Sequence, residues 1–540
     1  MRLTFIGANH EVTGSAHFLE VGGKHILIDY GMEQGINVFE NIPLPIPASQ
    51  IDYVLLTHAH IDHSGLLPLL YAQGYRGSIY TTEATADLCG IMLRDSAHIQ
   101  TMEAEWKSRK AKRSQSQDTV QPLYTMADAE AAIRHIIACP YQKKIHLCNE
   151  ISIRFTDIGH LLGSASIEIW LSEQEKTKKI VFSGDIGNTN QPLIRDPSYT
   201  DEADYVVMES TYGDRNHPAS KFDYVKELAA ILQETFDRGG NVVIPSFAVG
   251  RTQEILYFLR QIKATNLVHG HDGFPVFVDS PLAVEATGIF KENQQSCFDE
   301  EALALLTRGV NPLSFPGLKL YITSEESKSI NFIETPKVII SASGMCDAGR
   351  VRHHLKHNLW RPECTILFVG YQSVGTLGRI LADHGNSKEP LNIKLFGETI
   401  AVKAQILQMR GLSGHADRDG LTKWVNHFSP KPRRVFLVHG EDQVCQAFGE
   451  YLRIEYHLNP YAPYSGTVFN LLSNQIEYEA LPLSRKKKSS TTTPAYTRLL
   501  RAAENLLSFA QGCVGRANKD LAKMADQVTA LHDKWTGKTR

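Results

Sequence analysis

Short apolar runs rich in β-branched residues recur along the chain, and polar residues of one chemical kind follow several of them directly. HILI leads into Asp29, and YVLLT leads into a segment carrying His58, His60, Asp62 and His63. ISIRFTDIG delivers His160, KIVFSG delivers Asp185, DYVVM delivers Glu209 and RVFLV delivers His439. Each run has the length of a buried strand. The opening MRLTFIGANH reads as a further strand entering a turn. The pattern predicts a layered α/β fold in which a site collects at one edge of the sheets, where loops leave the strands.

Between Glu209 and His415 a different unit repeats three times: strand, glycine-containing loop, arginine, helix. NVVIPSFAVGRTQEILYFLR carries Arg251, VIISASGMCDAGRVRHHLKH carries Arg350 and TILFVGYQSVGTLGRIL carries Arg379. Glycine allows close backbone approach and a helix N-terminus favours an anion, so the loops suit phosphates. Taken singly, each is an ordinary strand-to-helix connection. None has the G-x-G-x-x-G spacing of a dinucleotide site.

After SRKKKSSTTTP (484–494), a polar, basic linker, apolar residues alternate in steps of three and four. They run from Leu500 through Leu507, Val514, Leu521 and Val528 to Trp535, which predicts a helix with one apolar seam. Gly512 and Gly515 would each cost roughly 1 kcal/mol against alanine, making them the place for a break. Such a helix either folds back on its own body or joins a protein partner or a second copy. Another basic run, WKSRKAKR (106–113), falls on an expected long helix and loop; it reads as a solvated face that could also steer a polyanion.

Composition narrows the classes. A length of 540 residues sets an expectation of roughly three units. A net charge of -3 means that nucleic-acid affinity would have to come from local patches. The eight cysteines are scattered without a Cys-x-x-Cys pair, against a disulfide framework and against a thiolate metal site. A secretory n- and h-region is not recognisable at the start and no apolar run is long enough to span a bilayer, so a soluble, cytoplasmic setting is expected.

The loop THAHIDHSGL (57–66) carries the sharpest chemistry. A lone histidine after a strand is usually packed or on the surface, and a lone aspartate usually forms a turn or caps a helix. Four ligand-type side chains within six positions are another matter. In an extended segment alternate residues point the same way, so His58 and His60 can grip one ion. Asp62 and His63, at the turn into a helix, can face a second. Two zinc ions fit this inventory: His58, His60 and His160 around one, Asp62, His63 and His439 around the other, and Asp185 between them. Asp29 fits better as an acceptor orienting a ligand.

These residues resemble the metallo-β-lactamase-fold hydrolases, through Asp29, the HAHIDH loop, His160 in GHLLGS and Asp185 in SGD. Glu209 in ESTYGD, His415 in GLSGHAD and His439 in VHGE extend the resemblance to the nucleic-acid-processing β-CASP branch, over about residues 1 to 480. The resemblance implies an αββα sandwich (1–209 and 391–480), an inserted α/β β-CASP domain (210–390), a linker (481–496) and a helical tail (497–540). It implies that His439 completes the second metal site and that His415, held by Glu209, is the general acid. It also implies that the insert closes over the metals as a lid. Ser343 and Arg379, with Arg251 and Arg350, are the candidate phosphate contacts in the cleft so formed. In this branch a histidine at the position of His439 points to RNA, where DNA-preferring members carry valine.

The expected function is therefore zinc-dependent hydrolysis of single-stranded RNA by two metals, in the manner of the cleavage-and-polyadenylation endonuclease. A DNA nuclease, a thioester or lactam hydrolase of the same fold and an RNA-binding subunit that does not cut are the alternatives. A di-iron redox role is disfavoured by His60, where the oxygen-reducing relatives usually place glutamate.

Overall fold

The protein is described by a computed structural model. It covers residues 1–35, 37–113, 120–217, 223–373, 375–385, 387, 389–409, 411–485, 494–515 and 517–536. The side chains of 110–113, 494–498, 500, 501, 504, 535 and 536 are outside the description. The end of the basic run, most of the linker, Leu500 and the Trp535 ring thus lie outside the described residues.

Two sheets form the centre of the fold. The first orders its strands 475–478, 468–470, 2–7, 16–21, 24–28, 53–55, 78–82 and 136–139. The second orders 460–461, 434–438, 205–209, 176–182, 165–173, 151–157 and 145–148. Their facing sides bury one apolar layer that includes Phe5, Leu19, Ile28, Phe155, Ile167, Phe182, Phe436 and Phe469. Helices cover the outer faces. Leu67–Ala72, Glu83–Arg113 and Met126–Arg134 flank the first sheet, and Arg418–Asn426 and Asp442–Tyr456 bury Trp424 and Phe448 against the second. Burial on both faces explains why strands such as YVVME read as continuous apolar runs rather than alternating ones.

The αββα sandwich is thus present, and its last strands return late in the chain. Arg434–Val438 pairs in parallel with Tyr205–Glu209, placing Val438 opposite Glu209. A third, wholly parallel sheet occupies the sequence between them, ordered 318–321, 276–279, 338–341, 242–245, 365–368 and 405–408. The expected boundary at 390 falls inside this layer. Gln405–Gln408 is hydrogen-bonded alongside Thr365–Phe368, and the hairpin Leu391–Leu395/Glu398–Val402 packs its Ile393, Leu395 and Ile400 into the same apolar cluster. Nothing in the local sequence marks 390 as internal, because strand pairing there is made with residues far upstream.

Ser484–Arg540 forms a unit of its own. Its helices Pro494–Gln511 and Asn518–Thr536 replace the single continuous helix that the spacing predicts. The interruption lies at Gly512–Gly515, and Gly515 adopts φ +91, a left-handed conformation that glycine enters without strain.

Candidate metal centre and active site

The metal-type side chains converge because their strands end at a common edge. Asp29 follows Lys24–Ile28 at φ +54, and its carboxylate ties down the neighbouring loop. Its Oδ1 accepts the Thr57 N–H at 2.8 Å, and its Oδ2 accepts the Thr57 hydroxyl at 2.9 Å and His63 Nδ1 at 2.7 Å. With Nδ1 of His63 engaged, Nε2 is turned inward. The Thr57 hydroxyl donates to Asp29, so its oxygen accepts from His58 Nδ1, 3.1 Å away. His160 Nδ1 donates to the Gly414 carbonyl at 3.0 Å. Thr211 donates to the His439 carbonyl and accepts from His439 Nδ1 at 3.2 Å. Four imidazoles are thereby fixed with Nε2 pointing into the same space.

The inward atoms form two groups. His58 Nε2 lies 3.1 Å from His60 Nδ1, and His160 Nε2 lies 3.2 Å from that same atom. His63 Nε2 lies 3.2 Å from His439 Nε2, with Asp62 Oδ2 at 3.6 Å from the latter. Asp185 stands between the groups. Its Oδ2 is 3.5 Å from both His58 Nε2 and His160 Nε2, whereas its Oδ1 is 3.2 Å from His63 Nε2 and 3.6 Å from His439 Nε2. With Nδ1 already donating, a neutral His58 or His160 turns a bare Nε2 lone pair into this space, which suits a cation. Asp185 Oδ1 is buried and faces the ring nitrogens of His63 and His439. The donor set fits divalent metal on these grounds.

Electrostatics follow from the burial. Desolvation, reinforced by the neighbouring His63, holds His58 well below the usual histidine range. His63 is driven the other way: burial opposes its charge, but Asp185 and Asp29 together outweigh it. At the rim, His415 Nδ1 lies 3.2 and 3.1 Å from the two oxygens of Glu209, which is fully enclosed. Burial disfavours the imidazolium, yet the Glu209 carboxylate pushes His415 up to about 9. The backbone N–H of Ile186 fixes Glu209, and His415 pairs as an isolated bridge with Gly187. Asp185, Glu209 and His415 thereby sit on one short stretch of structure.

Beside this centre opens a cleft of about 1370 Å³. Asn188–Pro192, Ile194–Asp196 and Ser413 line it on one side, with Tyr224, Arg251, Tyr257 and Phe258 from the inserted layer. Arg195 and Arg251 stand in this lining among a larger number of carboxylates, including Glu254, Glu301 and Asp417.

The three arginine loops leave the carboxyl edge of one parallel sheet, since strands 338–341, 242–245 and 365–368 are neighbours in parallel. Their guanidinium groups are each engaged inside the protein. Arg251 pairs with Glu254 and donates to the Leu412 carbonyl at 2.8 Å, Arg350 pairs with the buried Asp279 at 2.8 Å and Arg379 pairs with Asp383 at 2.9 Å. Of the three, only Arg251 lines the cleft. The Ser343 loop adjoins the Arg379 helix through Gly378 N–H to the Met345 carbonyl, 2.9 Å.

Three family models match in chain order. A metallo-beta-lactamase superfamily domain covers 18–208, a Beta-Casp domain covers 252–381, and a Zn-dependent metallo-hydrolase RNA specificity domain covers 399–463. The chain is 37% identical over 458 residues to Ribonuclease TTHA0252 of Thermus thermophilus, spanning 84% of this chain and 96% of that one. The chain belongs to the β-CASP family of metallo-β-lactamase-fold hydrolases. Transcription termination factor FttA of Methanosarcina mazei is 31% identical over 82% of the chain and 68% of its own length. Its namesake in Methanocaldococcus jannaschii is 29% identical over 86% and 70%. As a β-CASP member the protein is a metal-dependent hydrolase. Among the described residues no helix is long and apolar enough to cross a membrane.

Sequence reasoning missed the supporting atoms of this β-CASP centre: Thr57 Oγ1, Thr211 Oγ1 and the Gly414 carbonyl. It also missed His217, whose Nε2 donates to the His415 carbonyl at 3.0 Å. The hydroxyls and His217 abut the motif residues but carry no spacing of their own. A backbone carbonyl has no sequence signature at all.

Proposed function

We propose that the protein is a zinc-dependent ribonuclease that hydrolyses phosphodiester bonds of single-stranded RNA with two metal ions. The observation that carries this reading is the division of the Asp185 carboxylate, one oxygen toward His58 and His160 and the other toward His63 and His439. Nitrogen and carboxylate donors without sulfur suit zinc. Bound there, two ions supply Lewis-acid activation of water and of the phosphoryl group.

The chain's own residues do the rest. Glu209 holds Nδ1 of His415, which leaves Nε2 as the nitrogen for proton transfer. Cleavage leaves an alkoxide that needs a proton, and an imidazolium kept charged by a carboxylate gives it one. Asp29, Thr57, Thr211 and the Gly414 carbonyl hold the ligand rings so that little reorganisation accompanies the reaction. Arg251 stands on the wall of the cleft, and Ser343, Arg350 and Arg379 stand on loops of the adjoining sheet edge. The Thermus relative's name and the RNA specificity model support RNA over DNA. Eight free thiols accord with a cytoplasmic setting. The amphipathic tail helices suit self-association or a protein partner.

The test is cleavage of one sequence offered as labelled single-stranded RNA and as DNA, with zinc, beside His415→Ala. Cutting of RNA alone, lost in the variant, supports the reading. Cutting of DNA alone, or of neither strand by metal-loaded protein, overturns it in favour of a DNA nuclease or a small-molecule hydrolase.

A further inference from the structure

His17 belongs to neither ligand group, yet it lies in the core next to them. It stands on the strand Ala16–Val21, opposite Phe5 on one neighbour and Ile28 on the other. Directly opposed residues share a face, and this face looks into the layer between the two sheets. The imidazole stacks on Phe182 with centroids 5.6 Å apart and meets Phe5 edge-on at 5.8 Å. By its neighbours, position 17 is an apolar one. A phenylalanine would fill it without a polar group to satisfy, whereas an unpaired buried donor or acceptor costs about 1–3 kcal/mol.

His17 is 3% exposed, and its Nδ1 has no hydrogen-bond partner among the described residues. A neutral imidazole in such apolar surroundings offers one N–H and one lone pair. Beside it is a small cavity of about 10 Å³. His17 shares the wall of that cavity with Ser15, Thr57, Ser183, Asp185 and His439. A space of roughly this size holds one water when two to four polar groups surround it. On this wall His17 Nδ1 is buried without a hydrogen-bond partner among the described residues, and Asp185, whose Oδ1 faces His63 and His439, stands beside it.

We propose that His17 is a positioning residue of the metal centre, acting on the Asp185 carboxylate through one water held in this cavity. The inference rests on the two-group reading of the centre given above. Asp185 Oδ1 is the oxygen that faces His63 and His439, so the effect falls on the second metal rather than the first. A histidine is thereby kept at an apolar core position by the carboxylate beyond it, as outer partners of ligands are elsewhere.

Two substitutions in the full chain test this. His17→Phe keeps the ring stack but removes both nitrogens; His17→Gln keeps a polar end. Metal-free protein is titrated with Co(II), following the visible absorption of each equivalent, and with Zn(II) in competition. The expected result for His17→Phe is metal-free melting no lower than wild type, an unchanged first equivalent and a second equivalent bound about 10- to 100-fold more weakly, with a shifted spectrum. His17→Gln should recover most of the loss, and it carries the test if the phenylalanine variant fails to fold.

Wild-type affinities and spectra in both variants would overturn the proposal. So would a loss of metal-free stability with unchanged metal binding, which would make His17 a packing residue only. A wild-type protein that takes up fewer than two equivalents would instead bring down the two-metal reading, and this inference with it.

Discussion

Asp29 Oδ2 and His63 Nδ1 meet at 2.7 Å in the closed interior beneath the metal-binding atoms. That contact sets which nitrogen of His63 faces inward, and the same carboxylate anchors Thr57, which in turn orients His58. One side chain outside the ligand set thus governs one ring in each group. Asp29→Asn keeps the shape but offers a single carbonyl acceptor where the carboxylate offers two. Metal affinity should fall about 10- to 100-fold, read by competition against a chromogenic chelator. Undiminished affinity would show that the rings are held by packing alone.

Asp185→Ala should cost more than the loss of any one histidine, because it removes an oxygen from both groups at once. The expected result is less than one bound metal per chain by elemental analysis and no measurable turnover. His58→Ala removes a donor from the first group only and should leave a partly occupied second group while abolishing activity.

His415→Ala should retain both metals and lose turnover by about 10²- to 10⁴-fold, the usual contribution of a proton donor. His415 and His439 then separate cleanly, since His439→Ala should lose metal. Loss of metal from the His415 variant would reverse that division of labour.

Stability carries a pH signature at Asp157, which ends the strand before the His160 loop and accepts the Gly159 N–H at 3.0 Å. Burial raises its carboxyl from 3.8 to about 7. A folded value above the unfolded one means that the stabilising proton is present below about pH 4 and is lost as pH rises toward 7. At roughly 1.4 kcal/mol per unit, the ionised group costs a few kcal/mol above that range. Asp157→Asn should match the wild-type melting temperature at pH 4 and exceed it at pH 8. Parallel curves at all pH values would place the titration elsewhere.

Much of the centre is legible in the sequence because a strand end is a local signal: an apolar run stops and a histidine or carboxylate follows. The convergence of those ends is not local. It depends on Tyr205–Glu209 and Arg434–Val438 lying side by side across the whole insert. The arginine loops divide along the same line. Arg251 with Glu254 and Arg379 with Asp383 are i,i+3 and i,i+4 pairs that helix spacing alone could have revealed. Arg350 with Asp279 joins residues 71 positions apart and leaves no trace in the sequence. The tail break at Gly515 was legible as a weak point, whereas the end of the insert, decided by pairing with Thr365–Phe368, was not.

The order in which the ligands occur has a consequence for synthesis. His63 and His439 touch across 376 positions of chain, and His415, the proposed proton donor, also comes after the insert. A growing polypeptide therefore carries the HAHIDH loop long before it carries the means to finish a metal centre. Every fragment that stops short of residue 439 lacks a ligand of the second group and the strand-end geometry that presents it. For an enzyme whose substrate is the same polymer as its own message, cutting power is withheld until translation has passed nearly the whole of the catalytic body.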